Sequence, residues 1–247
     1  MTDGDSIFAC NEAEDLKVTK FKLMVSGDEV WAIDNIYKDP DAVREHALKS
    51  DFSGNYNSFH PGICSPAAQH SLPVTKAMRK LIFKHHTLTT GSFFAKLGGT
   101  GQWDDRKSVP HTDNAADFAG VVCLTPEPEP GDGTSFFRHK KLRIWKYNFG
   151  HVPTSMQMAL HHGFESVDIM HRYLRSPKAI DHWEEVLSVP AKYNRLIFYS
   201  SDYFHSASHR GCSEYDLETN PRLTQNFFFT VKKPVHPLVQ GDHNLAF

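Results

Sequence analysis

From residue 91 onward the chain breaks into short apolar runs separated by turns, and this rhythm confines it to a β architecture. Segments 92–97, 118–125, 134–137, 195–199 and 223–231 each read as a strand. The proline- and glycine-dense stretch 126–133 is a turn between two of them. Upstream the pattern differs. Residues 1–27 are polar and read as an irregular lead-in, and 29–34 reads as a short strand. Asp39-Pro40 supplies an N-cap followed by proline at the first helical position, opening a helix to about Lys49 with Val43 and Ala47 inward. Residues 50–72 form a Ser-, Gly-, Asn- and Pro-rich loop. Leu72-Pro73 then opens a second helix, in which Val74, Met78, Leu81 and Ile82 recur at helical spacing.

Helices first and strands after predict a mainly β fold with flanking helices: a jelly-roll sandwich buttressed from its N-terminal side. One stretch departs from the strand rhythm. Met156, Leu160, Phe164, Val167, Met170 and Leu174 repeat at helical spacing, and 182–187 continues in the same character. The expectation is a helical insertion over 152–187, either a lid over the mouth of the roll or a cover for a sheet face. No linker divides the 247 residues, so a single domain is expected, with 1–90 as support and 91–232 as the jelly-roll core.

Apolar residues make up 40% of the chain, enough for a packed core. The 27 basic and 29 acidic residues nearly cancel, which argues against nucleic acid as a partner. No apolar run approaches the roughly 20 residues of a membrane span, and none marks a signal peptide. Cys10, Cys64, Cys123 and Cys212 lie far apart with no CxxC pair, which fits a reducing, cytoplasmic setting.

The chemistry is carried by His111-Thr112-Asp113 and by His205, 94 residues later. Side chains two apart on a strand point the same way, so His111 and Asp113 can reach one ion together. Two histidines and one carboxylate make the facial triad that holds Fe(II) and leaves other coordination positions open. Sixteen histidines make a chance His-x-Asp common; the strand context and the order of the later residues single this one out. Arg222, Thr224, Asn226 and Phe228 then share one face of the last strand. Arginine's planar fork matches a carboxylate, and Thr224 adds a hydroxyl donor. A structural salt bridge is the alternative use of Arg222, and Arg210 is the alternative anchor. His85-His86, His161-His162 and His171 read as helix-end or polar-face residues; His60, His139 and His209 are unselected pocket candidates. Trp103, Trp145 and Tyr147 read as core aromatics.

With these pieces in place, the chain resembles the iron- and 2-oxoglutarate-dependent dioxygenases of the double-stranded β-helix fold, and within them the prolyl-hydroxylase-like branch. The matching pieces are Val109-Pro110-His111-Thr112-Asp113-Asn114, Gly131-Asp132-Gly133-Thr134-Ser135-Phe136-Phe137, Asn194-Arg195-Leu196-Ile197-Phe198-Tyr199, Phe204-His205-Ser206-Ala207 and Arg222-Leu223-Thr224-Gln225. The resemblance implies Fe(II) on His111, Asp113 and His205, with the distal carboxylate of 2-oxoglutarate on Arg222 and Thr224 and O₂ as the second co-substrate. It implies hydroxylation of a small molecule, an amino acid derivative or a peptide. Related halogenases lack the carboxylate ligand, so the presence of Asp113 points to hydroxylation or desaturation. Arg222 stands 17 residues past His205, more than is common in that superfamily, and a polar loop over 208–220 fills the gap. Two other classes stay open: a cupin-like zinc or manganese enzyme without 2-oxoglutarate, and a non-catalytic binding module on the same scaffold.

Overall fold

Among the described residues, ten strands arranged as two antiparallel sheets form the frame. A computed structural model describes residues 7–52, 62–66, 71–84, 86–98, 109–113, 116–147, 152–176, 181–209 and 215–232. The strands are β1 (Lys17–Lys22), β2 (Glu29–Asp34), β3 (Ile63–Cys64), β4 (Thr87–Leu97), β5 (Phe118–Cys123), β6 (Asp132–His139), β7 (Trp183–Pro190), β8 (Arg195–Ser200), β9 (His205–His209) and β10 (Arg222–Lys232). The larger sheet runs β1-β2-β8-β5-β10-β4-β3 and the smaller β7-β6-β9. Phe136 and Val189 of the smaller sheet pack against Ala119, Ile197 and Tyr199 of the larger, so the sheets face each other as a jelly roll.

Four helices are described: α1 (Pro40–Leu48), α2 (Leu72–Leu81), α3 (Val152–His161) and α4 (Val167–Leu174). The Asp39 side chain accepts the Ala42 N–H at 3.0 Å, and Pro40 opens α1, as the sequence predicts. Val43 and Ala47 of α1 and Val74 and Met78 of α2 cover the outer face of the larger sheet. On β10 that face presents Leu223, Phe227 and Phe229. Strand alternation turns Arg222, Thr224, Asn226 and Phe228 into the roll.

Three expectations are corrected. The lead-in is not wholly irregular, because Lys17–Lys22 forms edge strand β1, paired with β2 from Lys17↔Asp34 to Lys22↔Glu29. Its three lysines make it read as polar, and lysine on an edge strand prevents further pairing. The helical insertion ends earlier than expected: α3 and α4 are helical, but Trp183–Pro190 is strand β7. β7 pairs with β6 through a register shift between Phe136 and Phe137, and this irregularity blurs its alternation. The stretch after Phe204 holds a strand that the sequence does not predict: His205 opens β9, whose small polar residues carry no apolar signal.

The connection into β8 depends on Asn194. Its backbone is left-handed at φ 61, and its amide accepts the Tyr37 N–H at 2.9 Å and donates to the Tyr37 carbonyl at 2.8 Å. Asn194→Ala strands the buried Tyr37 N–H, removes one of the two donors to the Tyr37 carbonyl (Asn11 Nδ2 is the other, at 3.1 Å) and places alanine where the left-handed backbone favours asparagine. A loss of about 2–4 kcal/mol is expected from denaturant midpoints; a change under about 0.5 kcal/mol, the scale of an ordinary surface substitution, would contradict this account. Among the described residues, no helix is long and apolar enough to cross a membrane.

Candidate metal centre

Residues 109–113 cross the end of the smaller sheet rather than lying within a strand of it. His111 and His205 exchange both backbone hydrogen bonds at 2.9 Å, and the Asp113 N–H binds the Ser201 carbonyl at 2.8 Å. This pins the two ligand-bearing segments side by side. His205 Nε2 lies 3.2 Å from Asp113 Oδ2, and His111 Nε2 lies 3.9 Å from Asp113 Oδ1. One ligand atom from each residue lies within 4.8 Å of the others. Adjacent ligands on an octahedral ion with bonds of about 2.1 Å stand about 3 Å apart, so small rotations bring this set onto one cation.

The orientation of the rings supports ligation. His205 Nδ1 lies 2.9 Å from the Tyr203 carbonyl, and His111 Nδ1 lies 3.4 Å from that of Val109. A carbonyl can only accept, so each Nδ1 donates and each Nε2 faces Asp113: His111 Nε2 with its lone pair, and His205 Nε2 sharing a proton with the carboxylate until an ion displaces it. Tyr199 and Phe136 pack about the His205 ring, with centroids 4.7 Å and 6.4 Å away. The donor set of two imidazole nitrogens and one carboxylate suits Fe(II) and equally suits zinc or manganese.

Burial and the neighbouring His205 push His111 down to about 4, so it is neutral at pH 7. His205 is also buried, but the charge and hydrogen bond of Asp113 outweigh that and raise it above the ordinary histidine value. The proton held between His205 and Asp113 must leave when a dication enters. Metal affinity should therefore rise with pH through the raised His205 value and level off above it. Near that value, each ion bound should release up to about one proton, measurable with an indicator dye in weak buffer. Uptake with no proton release and no pH dependence would contradict the assignment.

These ligands stand at one end of a cleft between the sheets, also lined by Thr134, Ala207, Arg222, Asn226, Phe93 and Phe228. The register sets its length. Phe136 pairs with His205 and Asp132 with His209, so Asp132 stands four residues along β6, roughly 13 Å of strand. At that far end Arg222 is held by Asp132: Nε donates to Oδ1 at 2.5 Å, and Nη2 donates to the Gly133 carbonyl at 3.0 Å. Burial works against the guanidinium's charge, but Asp132 outweighs it and holds Arg222 above its ordinary value. A Cβ at position 133 would lie 2.1 Å from the Val189 carbonyl oxygen, so only glycine lets β6 and β7 approach this closely.

The structure brings His111, Asp113, His205 and Arg222 to one cleft. Thr224 is buried on the same strand face but does not line the cleft; it accepts from Asn226 Nδ2 at 3.2 Å, and Asn226 and Thr134 add uncharged polar groups to the lining. Arg210, Trp103, His60 and His85 lie outside the described residues, as does the His209 side chain. His139 packs away from the cleft against Trp183, and Tyr147 lies in the core formed by α3, α4 and Phe204. That core abuts the residue preceding His205, and Arg175, which caps α4, is near enough for its charge to act on His111 and Asp113. Asp132 escapes a sequence reading that looks for ligands; Gly131-Asp132-Gly133 is its only local signal.

A model of one protein family, described as "Family of unknown function (DUF6445)", matches residues 14–229. The chain belongs to the DUF6445 family. A search of the curated proteins finds no match. Solved structures align with this DUF6445 protein at low similarity. One is the non-heme alpha-ketoglutarate-dependent carbocyclase SnoK from nogalamycin biosynthesis, 15% identical at TM-score 0.46, covering 90% of this chain and 86% of that one. Another is HygX from Streptomyces hygroscopicus with nickel, 2-oxoglutarate and hygromycin B, 11% identical at TM-score 0.40, covering 81% and 82%. A Pseudomonas putida prolyl-4-hydroxylase is 11% identical at TM-score 0.31, covering 90% and 80%. Likeness at this level assigns no activity, and the chemistry has to be read from the side chains.

Proposed function

We propose that this DUF6445 protein is an Fe(II)- and 2-oxoglutarate-dependent oxygenase that hydroxylates a C–H bond of a small molecule, an amino acid derivative or a peptide. The observation that carries the reading is one cleft with two imidazole Nε2 atoms and a carboxylate at one end and a buried guanidinium at the other. His111, Asp113 and His205 would hold the iron, with the other coordination positions open. When bound, the iron couples oxidative decarboxylation of 2-oxoglutarate by O₂, giving succinate and CO₂, to oxidation of the substrate.

The chain's own contribution is orientation. Arg222 would take the distal carboxylate, with Thr224 supporting Asn226 one step along the same strand face. Arg222 and the three ligands line one cleft, so a dicarboxylate that chelates the iron at one end would turn its other carboxylate toward the guanidinium. Phe93 and Phe228 stack at 5.8 Å and give the cleft an apolar wall for the substrate. The unpaired cysteines Cys10, Cys64 and Cys123 accord with a reducing, cytoplasmic setting.

The test is succinate formation from 2-oxoglutarate under air, with each metal added in turn to chelator-stripped protein. The reading expects turnover with Fe(II) and none with Zn(II) or Mn(II). Tight zinc or manganese binding with no succinate under any condition would assign the site to the cupin-like class instead.

A further inference from the structure

We propose that Tyr215, acting through Asp132, is a positioning residue that presents one edge of Arg222 to a dicarboxylate; the inference rests on the reading of Arg222 given above. A guanidinium has five N–H groups in a planar fork. Nε–H goes to Asp132 and one Nη2–H to the Gly133 carbonyl. The terminal edge, Nη1 with the second Nη2–H, has no acceptor among the described residues, and Arg222 lines the cleft. A fork with its side edge tied down and its end edge open is arranged for a bidentate carboxylate. A purely structural ion pair has no need to leave that edge unmet.

Asp132 is itself held. Its Oδ2 accepts from the Tyr215 hydroxyl at 3.0 Å, and that hydroxyl accepts the Glu129 N–H at 2.9 Å. Tyr215 is 4% exposed and leads into a rigid turn: the Asp216 side chain accepts from the Glu218 and Thr219 N–H groups, each at 2.9 Å, and the Asp216 and Asn220 backbones bond each other. The long connection between His205 and Arg222 thereby gains a role. It delivers a phenol that fixes Asp132, and through it the direction of Arg222.

The probes are 2-oxoglutarate, the six-carbon 2-oxoadipate and pyruvate, which chelates iron but has no distal carboxylate. Each is titrated anaerobically into Fe(II)-loaded full-length protein, following the visible band of the chelate, in the parent and in Tyr215→Phe. The expected result is about a tenfold weaker affinity for 2-oxoglutarate, no change for pyruvate, and a narrower preference for 2-oxoglutarate over 2-oxoadipate. These are ratios within one protein sample, so they do not depend on the fraction that folds. Equal weakening for pyruvate and 2-oxoglutarate, or no change for either, overturns the positioning role while leaving the oxygenase reading intact. No band with 2-oxoglutarate in the parent overturns both.

Discussion

Asp113→Ala protein keeps its fold and loses turnover by more than about a hundredfold, since losing a ligand exceeds the 10–100-fold cost of losing a residue that merely supports one. Asp113 is the only negative charge among the three ligands and lies within 3.9 Å of both histidine Nε2 atoms. Removing it leaves two neutral imidazoles, which hold a hard dication weakly. It also removes the group that raises His205, so the variant should bind little metal and release little proton on binding. Succinate formation and metal content after desalting read both effects. A variant with full activity would remove Asp113 from the ligand set and reduce the constellation to a chance grouping of histidines.

Arg222→Met destabilises the protein by about 3–5 kcal/mol, because Asp132 is left as an uncompensated buried charge. The double variant Arg222→Met/Asp132→Asn recovers most of that loss, since the amide keeps hydrogen bonds without the charge. The two uses of Arg222 separate here. If the pair serves only stability, the double variant should bind 2-oxoglutarate as the parent does. The account expects it to be stable and to have lost 2-oxoglutarate binding by about a hundredfold, consistent with removal of a bidentate charged contact. Urea midpoints and chelate titrations on the same samples supply both numbers.

These cases also show what a sequence carries and what it hides. Three of the residues that the cleft gathers stand out in the sequence by local spacing, His111 and Asp113 two residues apart and Arg222 on an alternating strand, whereas His205 is 94 residues away and is brought in by the fold. The helix cap at Asp39-Pro40 was legible for the same reason. β1, β7 and β9 were not. Their residues are polar, small or interrupted by a register shift, and they become strands through neighbours supplied by distant parts of the chain. The partnership of Asp132 with Arg222 spans 90 residues, and that of Tyr215 with Asp132 spans 83. No periodicity encodes a contact of that kind. Asn194 shows the mixed case: a turn-forming residue is visible in the sequence, but its double hydrogen bond to Tyr37 is a product of the assembled fold.

The most direct test of the central claim is spectroscopic and needs no knowledge of the substrate. Fe(II) and then 2-oxoglutarate are added without oxygen to metal-free protein, and the visible charge-transfer band of the chelate is sought, with His111→Ala as the control. The account predicts a band in the parent that saturates at one 2-oxoglutarate per iron and is absent in His111→Ala. No band in a parent that holds zinc or manganese tightly, or an equal band in His111→Ala, would contradict it.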